Sequence, residues 1–248
     1  MIIDAHAHLG HDCVFDEDVT EEELVSFNNC CGIDCAIIQP LTPRPYIADH
    51  RAIHDEIYRL CLKYPGRFKG MVSINPHFRP EDYDGELIRC VKELGFIGVK
   101  ITPIGHAAHP SSKDCLHVYE ISRDLDIPVM IHTGAGAPFA DPVSLLKAVR
   151  MFPNVKFILA HAGTDTMFTQ ALYLAEEFDH VYLEPSWLNV VSVKAAIDAL
   201  GADRIMFSSD MPSNVPVELA KYRTILKDEK ELEQVMYKTA REVFNLKC

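Results

Sequence analysis

The sequence has neither an excess of basic residues nor a long apolar run. Its 248 residues include 24 lysines and arginines against 36 aspartates and glutamates, a formal net charge of -12. Because binding to nucleic-acid phosphates needs clustered positive charge, this balance argues against a nucleic-acid-binding protein. No run approaches the roughly 20 apolar residues of a membrane-spanning helix, and Met1-Ile2-Ile3-Asp4 lacks the basic segment of a signal peptide. We expect a cytoplasmic protein that binds neither nucleic acid nor membrane.

Paired cysteine motifs are also missing. The chain has eight cysteines, an even number that could suggest disulfides. However, Cys30, Cys31 and Cys35 lack the C-x2-C spacing of a structural zinc site. A chain of this length without an export signal forms a core that needs no disulfides. We therefore expect reduced and mostly packed thiols.

No linker, low-complexity tract or sequence repeat divides the chain. The hydrophobic content of 48% is enough for a sizeable core, and the length is close to that of one (β/α)8 barrel. We predict a single domain over residues 1–248.

Strand-like and helix-like segments alternate throughout. The predicted strands are 2–8, 35–39, 68–75, 96–101, 127–132, 155–160, 180–184 and 204–208. The predicted helices are about 20–31, 50–64, 80–94, 113–125, 141–151, 165–178, 189–200, 215–227 and 230–245, and the longest βα loops are 9–19 and 102–112. This alternation indicates a parallel sheet. Eight units favour a single (β/α)8 TIM barrel, with a doubly wound open sheet as the alternative.

Metal-binding types of side chain occur at the C-terminal ends of predicted strands. They are His6, His8, His132, His161 and Asp210. The first two lie two positions apart on one strand and so point to the same face. Because the C-terminal rim of a barrel carries its active site, we expect these groups to converge on one divalent cation. Imidazole and carboxylate ligands favour Zn²⁺.

Lys100 ends the fourth predicted strand, near the barrel mouth. A buried lysine is costly without a chemical role. It is carboxylated and bridges two metal ions, or it stays cationic and binds a substrate carboxylate, or it forms a structural ion pair. These three interpretations stay open on the sequence alone.

Three more side chains are candidates. Glu184 ends the seventh predicted strand, either as a substrate contact at the rim or as a capping acid behind the ligands. His106 lies in the long loop 102–112, either as a substrate contact or as a solvated histidine. Asp4 precedes His6 by two residues and is expected to orient an imidazole from the same face.

Ordered motifs link these residues to a known family. The motifs are Asp4-x-His6-x-His8, Pro65-x-Arg67-Phe68, Gly95-x-x-Gly98-Val99-Lys100, Ile131-His132-Thr133-Gly134, His161-Ala162-Gly163 and Ser208-Ser209-Asp210-Met211-Pro212. They resemble the family-2 branch of the amidohydrolase superfamily, which contains metal-dependent TIM-barrel hydrolases and decarboxylases. The resemblance implies that His6, His8, His132 and Asp210 hold the metal. It further implies that His161 is an acid/base or polarises the substrate in mononuclear members and binds the second metal in binuclear ones. It also implies a homodimer or higher homo-oligomer.

The leading functional hypothesis is a metal-dependent hydrolase of a small, carboxylate-bearing amide, ester or lactone. Asp210 would take a proton from water, and His161 would stabilise charge on a carbonyl oxygen. The alternative is a nonoxidative decarboxylase related to aminocarboxymuconate semialdehyde decarboxylase. A barrel that has lost its activity is disfavoured because all five site positions are present.

Overall fold

The computed structural model describes residues 1–134 and 139–247. Its strands are β1 (Ile3–Asp12), β2 (Glu17–Val19), β3 (Cys35–Pro40), β4 (Phe68–Gly70), β5 (Val72–Ser73), β6 (Val99–Ile101), β7 (Val129–His132), β8 (Phe157–Ala160) and β9 (Val181–Glu184). Its α-helices are α1 (Glu21–Cys31), α2 (Ile47–Lys63), α3 (Pro80–Lys92), α4 (Pro103–His106), α5 (Lys113–Asp124), α6 (Leu146–Met151), α7 (Thr164–Glu177), α8 (Val190–Leu200), α9 (Val215–Ile225), α10 (Glu229–Glu233) and α11 (Thr239–Val243).

The strands form two sheets that meet at the third barrel position, and every strand pair except β1–β2 is parallel. Their orders are β2-β1-β3-β4 and β5-β6-β7-β8-β9. The predicted third strand is divided at Met71, so that β4 pairs with β3 and β5 pairs with β6. The two short strands therefore act as the two halves of one staggered barrel strand.

Residues 205–210 close the barrel between β9 and β1. The Met206 amide donates to the Leu183 carbonyl at 3.2 Å, and the Asp210 amide donates to the His6 carbonyl at 2.7 Å. Two parallel bridges accompany these bonds. The predicted (β/α)8 barrel is therefore confirmed, and the open-sheet alternative is wrong. The eighth strand, at residues 205–210, pairs with its neighbours only through isolated bridges and single hydrogen bonds.

Alternating side chains separate the barrel interior from the layer under the helices. Ile37, Met130 and Ile158 belong to an inner apolar cluster, while their neighbours along the strands pack in the larger cluster that contains helix residues. The inner cluster also contains Ala240, Val243, Phe244 and Leu246. The chain around α11 therefore closes the end of the barrel opposite the predicted site.

Two predicted loops have secondary structure of their own. The segment 9–19 is largely a hairpin, in which β1 extends to Asp12 and pairs antiparallel with β2. The Asp12 carboxylate stabilises its turn by accepting from the amides of Val14 and Phe15 at 2.8 and 3.0 Å. The loop 102–112 contains the short helix α4. The predicted final helix is α10, a π-helical turn at Gln234–Lys238, and α11.

The seven cysteines in the described ranges form no disulfide with one another, and Cys248 lies outside those ranges. Among the same residues, no helix has both the length and the apolar character needed to cross a membrane.

Candidate metal centre and active-site cavity

Three ligand atoms converge at the C-terminal end of the barrel. His6 Nε2 lies 3.0 Å from His8 Nε2 and 3.2 Å from Asp210 Oδ1, and His8 Nε2 lies 3.1 Å from the same oxygen. A β-bulge in β1 lies between Asp4 and Ala7, the stretch that contains His6. Such bulges redirect side chains beside functional sites.

The hydrogen bonds of the two histidines indicate a cation site. His6 Nδ1 lies 2.6 Å from the Glu184 carboxylate, and His8 Nδ1 lies 3.3 Å from the Pro40 carbonyl. Because both partners only accept, each Nδ1 carries the proton in the neutral ring. The two Nε2 lone pairs consequently face each other and the Asp210 oxygen. A divalent cation fits this donor set.

Charged groups around the cluster set its protonation. Burial, and then the Lys100 cation, hold the pKa of His6 well below its usual range. Burial opposes ionisation of Asp210, but the nearby His161, His6 and His8 hold its pKa well below the ordinary value. The site therefore presents neutral His6 and ionised Asp210 at neutral pH.

Lys100 lies inside the barrel beside the cluster. Its neighbours Val99 and Ile101 pack in the outer layer, so Lys100 points inward with only 1% exposure. Its Nζ is 2.9 Å from His6 Nε2. Burial lowers the pKa of Lys100 to about 8, so the amine is mostly protonated at pH 7. The structure thus places one buried cation beside the predicted ligands.

Glu184 lies behind the ligands and is fully buried. Its Oε2 accepts from His6 Nδ1 and from the His161 amide at 2.6 and 3.2 Å. Its Oε1 accepts from the Ser186 amide at 2.8 Å and from the Ser208 hydroxyl. Donors from the protein thus contact both oxygens of Glu184, as expected of an acid behind the ligands, and its predicted substrate contact stays untested.

Asp4 does not orient an imidazole, contrary to expectation. Its carboxylate accepts from the amides of His6 and Ser209 at 3.1 and 3.0 Å and from the Ser209 hydroxyl. Asp4 instead ties β1 to the closing segment 205–210. The bulge after Asp4 breaks the alternation on which the expectation depended.

His161 and His132 are neighbours at the edge of the cluster. Their ring centroids are 4.8 Å apart, and the His161 ring is 5.2 Å from that of His6. His161 Nδ1 lies 2.8 Å from the Ser186 hydroxyl, and burial lowers the pKa of His161 to about 3. Both line the cavity. The role of His132 as a fourth metal ligand and that of His161 as a neutral hydrogen-bonding imidazole stay predictions.

A cavity of about 510 Å³ opens above these residues. Its wall includes Phe15 from the β1–β2 hairpin, Leu41, Ile104 and Trp187, together with Lys100 and Asp210 at the polar end. Phe15 and Trp187 were not singled out from the sequence. Trp187 follows the predicted strand 180–184 by three residues, a position that could have indicated a rim residue.

His106 was predicted to contact the substrate, but it does not line the cavity. It is 2% exposed, and its Nδ1 accepts from the Thr102 amide at 3.3 Å. Formation of α4 turns His106 into the protein, and Thr102 and Ile104 line the cavity on this side. The structure thus does not place His106 in the cavity wall, and its predicted substrate contact stays untested.

Backbone strain concentrates at this end of the barrel. His161, Trp187 and Asp210 have φ angles of 62°, 66° and 67°, in the left-handed region that non-glycine residues rarely adopt. Such conformations persist where the surroundings enforce them and cluster at functional sites.

Comparison with known proteins shows which family the chain resembles. The family model described as amidohydrolase matches residues 3–246. A 2-keto-4-carboxy-3-hexenedioate hydratase from Sphingobium sp. is 30% identical over 164 residues, covering 53% of this chain and 48% of the relative. A gamma-resorcylate decarboxylase from Polaromonas sp. is 26% identical over 213 residues, covering 65% of each protein. The chain thus spans about half to two thirds of the length of these relatives.

A solved structure shares the whole architecture. It is a dihydroxybenzoic acid decarboxylase from Polaromonas sp. with bound manganese and an inhibitor, 2-nitroresorcinol. The TM-score is 0.79 at 20% identity, with 99% of this chain and 97% of the other covered. At this identity the likeness establishes the common barrel fold.

Proposed function

Because this chain belongs to the amidohydrolase family, we propose that it is a metal-dependent lyase, in the first instance a nonoxidative decarboxylase of a small carboxylate. This replaces hydrolysis, the leading hypothesis from the sequence. The two relatives described above are a hydratase and a decarboxylase. Their names support the loss of CO2 from carbon, or the addition of water to carbon, rather than hydrolytic cleavage.

The residues present fit a divalent cation held by His6, His8 and Asp210, with His132 as the proposed fourth ligand. The cation would polarise a substrate oxygen and stabilise negative charge on it. We propose a divalent ion without preferring zinc, since the solved decarboxylase contains manganese. Two neutral imidazoles and one carboxylate suit either metal.

Lys100 is the observation that carries the decarboxylase proposal. Among the described residues that line the cavity, it is the single lysine or arginine. It lies at the polar end, beside His6, while Leu41, Ile104 and Trp187 supply apolar wall. A planar carboxylate fits this arrangement, with its anionic group on the ammonium and its ring or double bond between apolar side chains.

Asp210 is the proposed proton carrier. As a carboxylate, it accepts a proton from an acidic hydroxyl of the substrate. It then gives that proton to the carbon that bears the carboxylate. When the bond between that carbon and the carboxylate breaks, CO2 leaves and the bonding electrons restore the substrate oxyanion, which takes a proton from solvent to become the hydroxyl again. His161, neutral because of its burial, contributes a hydrogen bond without adding positive charge to the site.

A hydratase is the second candidate. The relative with 30% identity carries this activity, and the same groups could serve it. Lys100 would bind a carboxylate, and Asp210 would transfer a proton to or from water at a carbon–carbon double bond.

Product analysis in labelled water separates the reactions. The protein, loaded with Mn²⁺ or Zn²⁺, is incubated with hydroxybenzoates, unsaturated dicarboxylates and aryl lactones. A decarboxylase releases CO2 and, in D2O, places one deuterium on the product carbon. A hydratase inserts ¹⁸O from H2¹⁸O at a saturated carbon, and a hydrolase places it in a new carboxylate. Hydrolysis of the lactones with no CO2 release or hydration would overturn the proposal.

The homodimer or higher homo-oligomer implied by the family resemblance also stays a proposal. Sedimentation velocity over a range of protein concentrations tests it, and a monomer at all concentrations would contradict it.

A further inference from the structure

Trp187 is hydrogen-bonded to one of the two oxygens of the Asp210 carboxylate. Its indole Nε1–H donates to Asp210 Oδ2 at 2.7 Å. The other oxygen, Oδ1, lies 3.2 and 3.1 Å from the Nε2 atoms of His6 and His8. One oxygen therefore faces the predicted metal ligands, while the indole holds the other.

The backbone of Trp187 is fixed in a strained conformation. Its φ of 66° is unfavourable for a bulky residue. The Trp187 amide donates to Glu218 Oε1 at 2.9 Å, and Glu218 is 1% exposed on α9. Lys221 compensates this buried charge, with its Nζ 2.6 Å from Glu218 Oε2.

Glu218 also connects to the chain that carries Asp210. The Asn214 side-chain amide donates both to Glu218 Oε1 and to the Ser209 carbonyl, each at 3.0 Å. Ser209 directly precedes Asp210 in the chain. Glu218 and Asn214 thus hold the loops of both partners of the indole–carboxylate bond in one buried hydrogen-bond network.

We propose that Trp187 is a positioning residue that restricts Asp210 to binding the metal through a single oxygen. The indole occupies Oδ2, so Oδ1 alone is available to the cation. A carboxylate with both oxygens on the metal would fill a position that the substrate needs, since catalytic sites keep one open. The inference rests on the proposed function because it assumes a cation at His6, His8 and Asp210.

Cobalt is the probe, because the intensity of its visible absorption falls as its coordination number rises. Trp187→Phe keeps an aromatic ring but removes the N–H donor. We expect weaker visible bands for Co²⁺ in this variant, and a loss of about 10-fold to 100-fold in kcat/KM, as for other residues that orient metal ligands. Phe15→Leu is the matched control, because Phe15 lines the same cavity and has no bond to Asp210. Its Co²⁺ spectrum should match that of the wild type.

Each outcome decides a different point. If the wild type does not bind Co²⁺, the proposed function fails, and this inference fails with it. If it binds Co²⁺ and Trp187→Phe gives the wild-type spectrum, the role of Trp187 alone is wrong. Equal changes in both variants would also overturn that role, since they would reflect a general disturbance of the cavity.

The wild type offers a further test that does not depend on the folding of a variant. Trp187 is the single tryptophan of the chain. Its emission should shift during a Zn²⁺ titration and saturate with metal binding, because its hydrogen-bond acceptor becomes a ligand. Emission that stays constant while Zn²⁺ binds would contradict the proposed role.

Discussion

Glu184 Oε2 and His6 Nδ1 form a hydrogen bond of 2.6 Å between residues 178 positions apart. Both side chains are fully buried. The bond fixes the proton of His6 on Nδ1 and directs the Nε2 lone pair toward His8 and Asp210. The carboxylate behind the ligand therefore sets the tautomer on which metal binding depends.

Replacing Glu184 should weaken metal binding. We expect Glu184→Gln to reduce metal affinity by about 10-fold to 100-fold, the usual range for such orienting partners. Competition with a chromophoric chelator measures the effect. Glu176→Gln, at an exposed position on α7, is the control. Equal affinity in the wild type and both variants would show that Glu184 does not tune His6.

The proposed fourth ligand is tested by removing His132. His132→Ala should lose most of the bound metal after dialysis, whereas His77→Ala should retain it. His77 is a suitable control because it is an exposed histidine paired with Asp114. Elemental analysis per protomer gives the answer. Wild-type metal content in His132→Ala would show that His132 is not required as a ligand.

Lys100→Met tests the proposed substrate clamp. It removes the ammonium while keeping a long apolar chain, and we expect KM to rise about 10-fold to 100-fold with a smaller change in kcat. The metal stoichiometry should stay near one and be insensitive to bicarbonate. Two metals per protomer, with a carboxylated Lys100 amine, would instead support the bridging interpretation.

The charge of Lys100 also predicts a pH dependence. Its pKa of about 8 lies below the ordinary lysine value because of burial. As pH rises through this value the ammonium becomes neutral, so KM for a carboxylate should increase between pH 7 and pH 9 in the wild type. The increase should be absent in Lys100→Met. A similar increase in both proteins would assign the titration to another group.

Asp210→Asn should impair turnover more than binding. The amide keeps the shape and an oxygen but cannot carry the proton, so we expect kcat to fall by at least ~10²-fold. Metal content, measured in parallel, separates loss of proton transfer from loss of the ion. Near-normal turnover with the metal retained would refute the assigned role.

Glu86, which lies away from the predicted metal site, should make the stability of the fold depend on pH. It is buried on α3, and it accepts from His54 Nδ1 and Arg89 Nη2, both at 2.8 Å. Burial opposes its ionisation, but these partners hold its pKa well below the ordinary value of 4.5. The ionised carboxylate therefore stabilises the fold above about that pH, and this contribution is lost as pH falls toward the lowered pKa.

We expect Glu86→Gln to lower the free energy of unfolding by about 3 kcal/mol at pH 7, with a difference from the wild type that shrinks below about pH 4.5. Urea unfolding at several pH values measures both effects. Glu93→Gln, at an exposed position after α3, should change little at any pH. A constant difference between Glu86→Gln and the wild type would contradict the linkage.

The sequence predicts the barrel well because its helices and buried strands differ in period and composition. It does not predict that the third strand divides at Met71 or that residues 205–210 form only isolated bridges. Both depend on how far each strand extends along its neighbours. Pairing partners distant in the chain, rather than local propensity, set that extent.

The convergence of His6, His8 and Asp210 was predictable because each ends an apolar run and the barrel brings those ends together. Asp4 was wrongly expected to orient an imidazole, because an extra residue in β1 breaks the alternation of side chains. The position of Trp187 over Asp210 was not predictable, since it depends on contact between two loops.

The closing contacts between β1 and residues 205–210 also constrain the order of folding. Asp4 and Ser209, joined by a hydrogen bond, are 205 positions apart. During synthesis, therefore, the inner part of β1 keeps an unpaired edge until residues 205–210 have been made, because the hairpin strand β2 covers only Gly10, His11 and Asp12. Such an edge can pair with other chains. We therefore expect the nascent chain to be most prone to aggregation before residues 205–210 pair with β1.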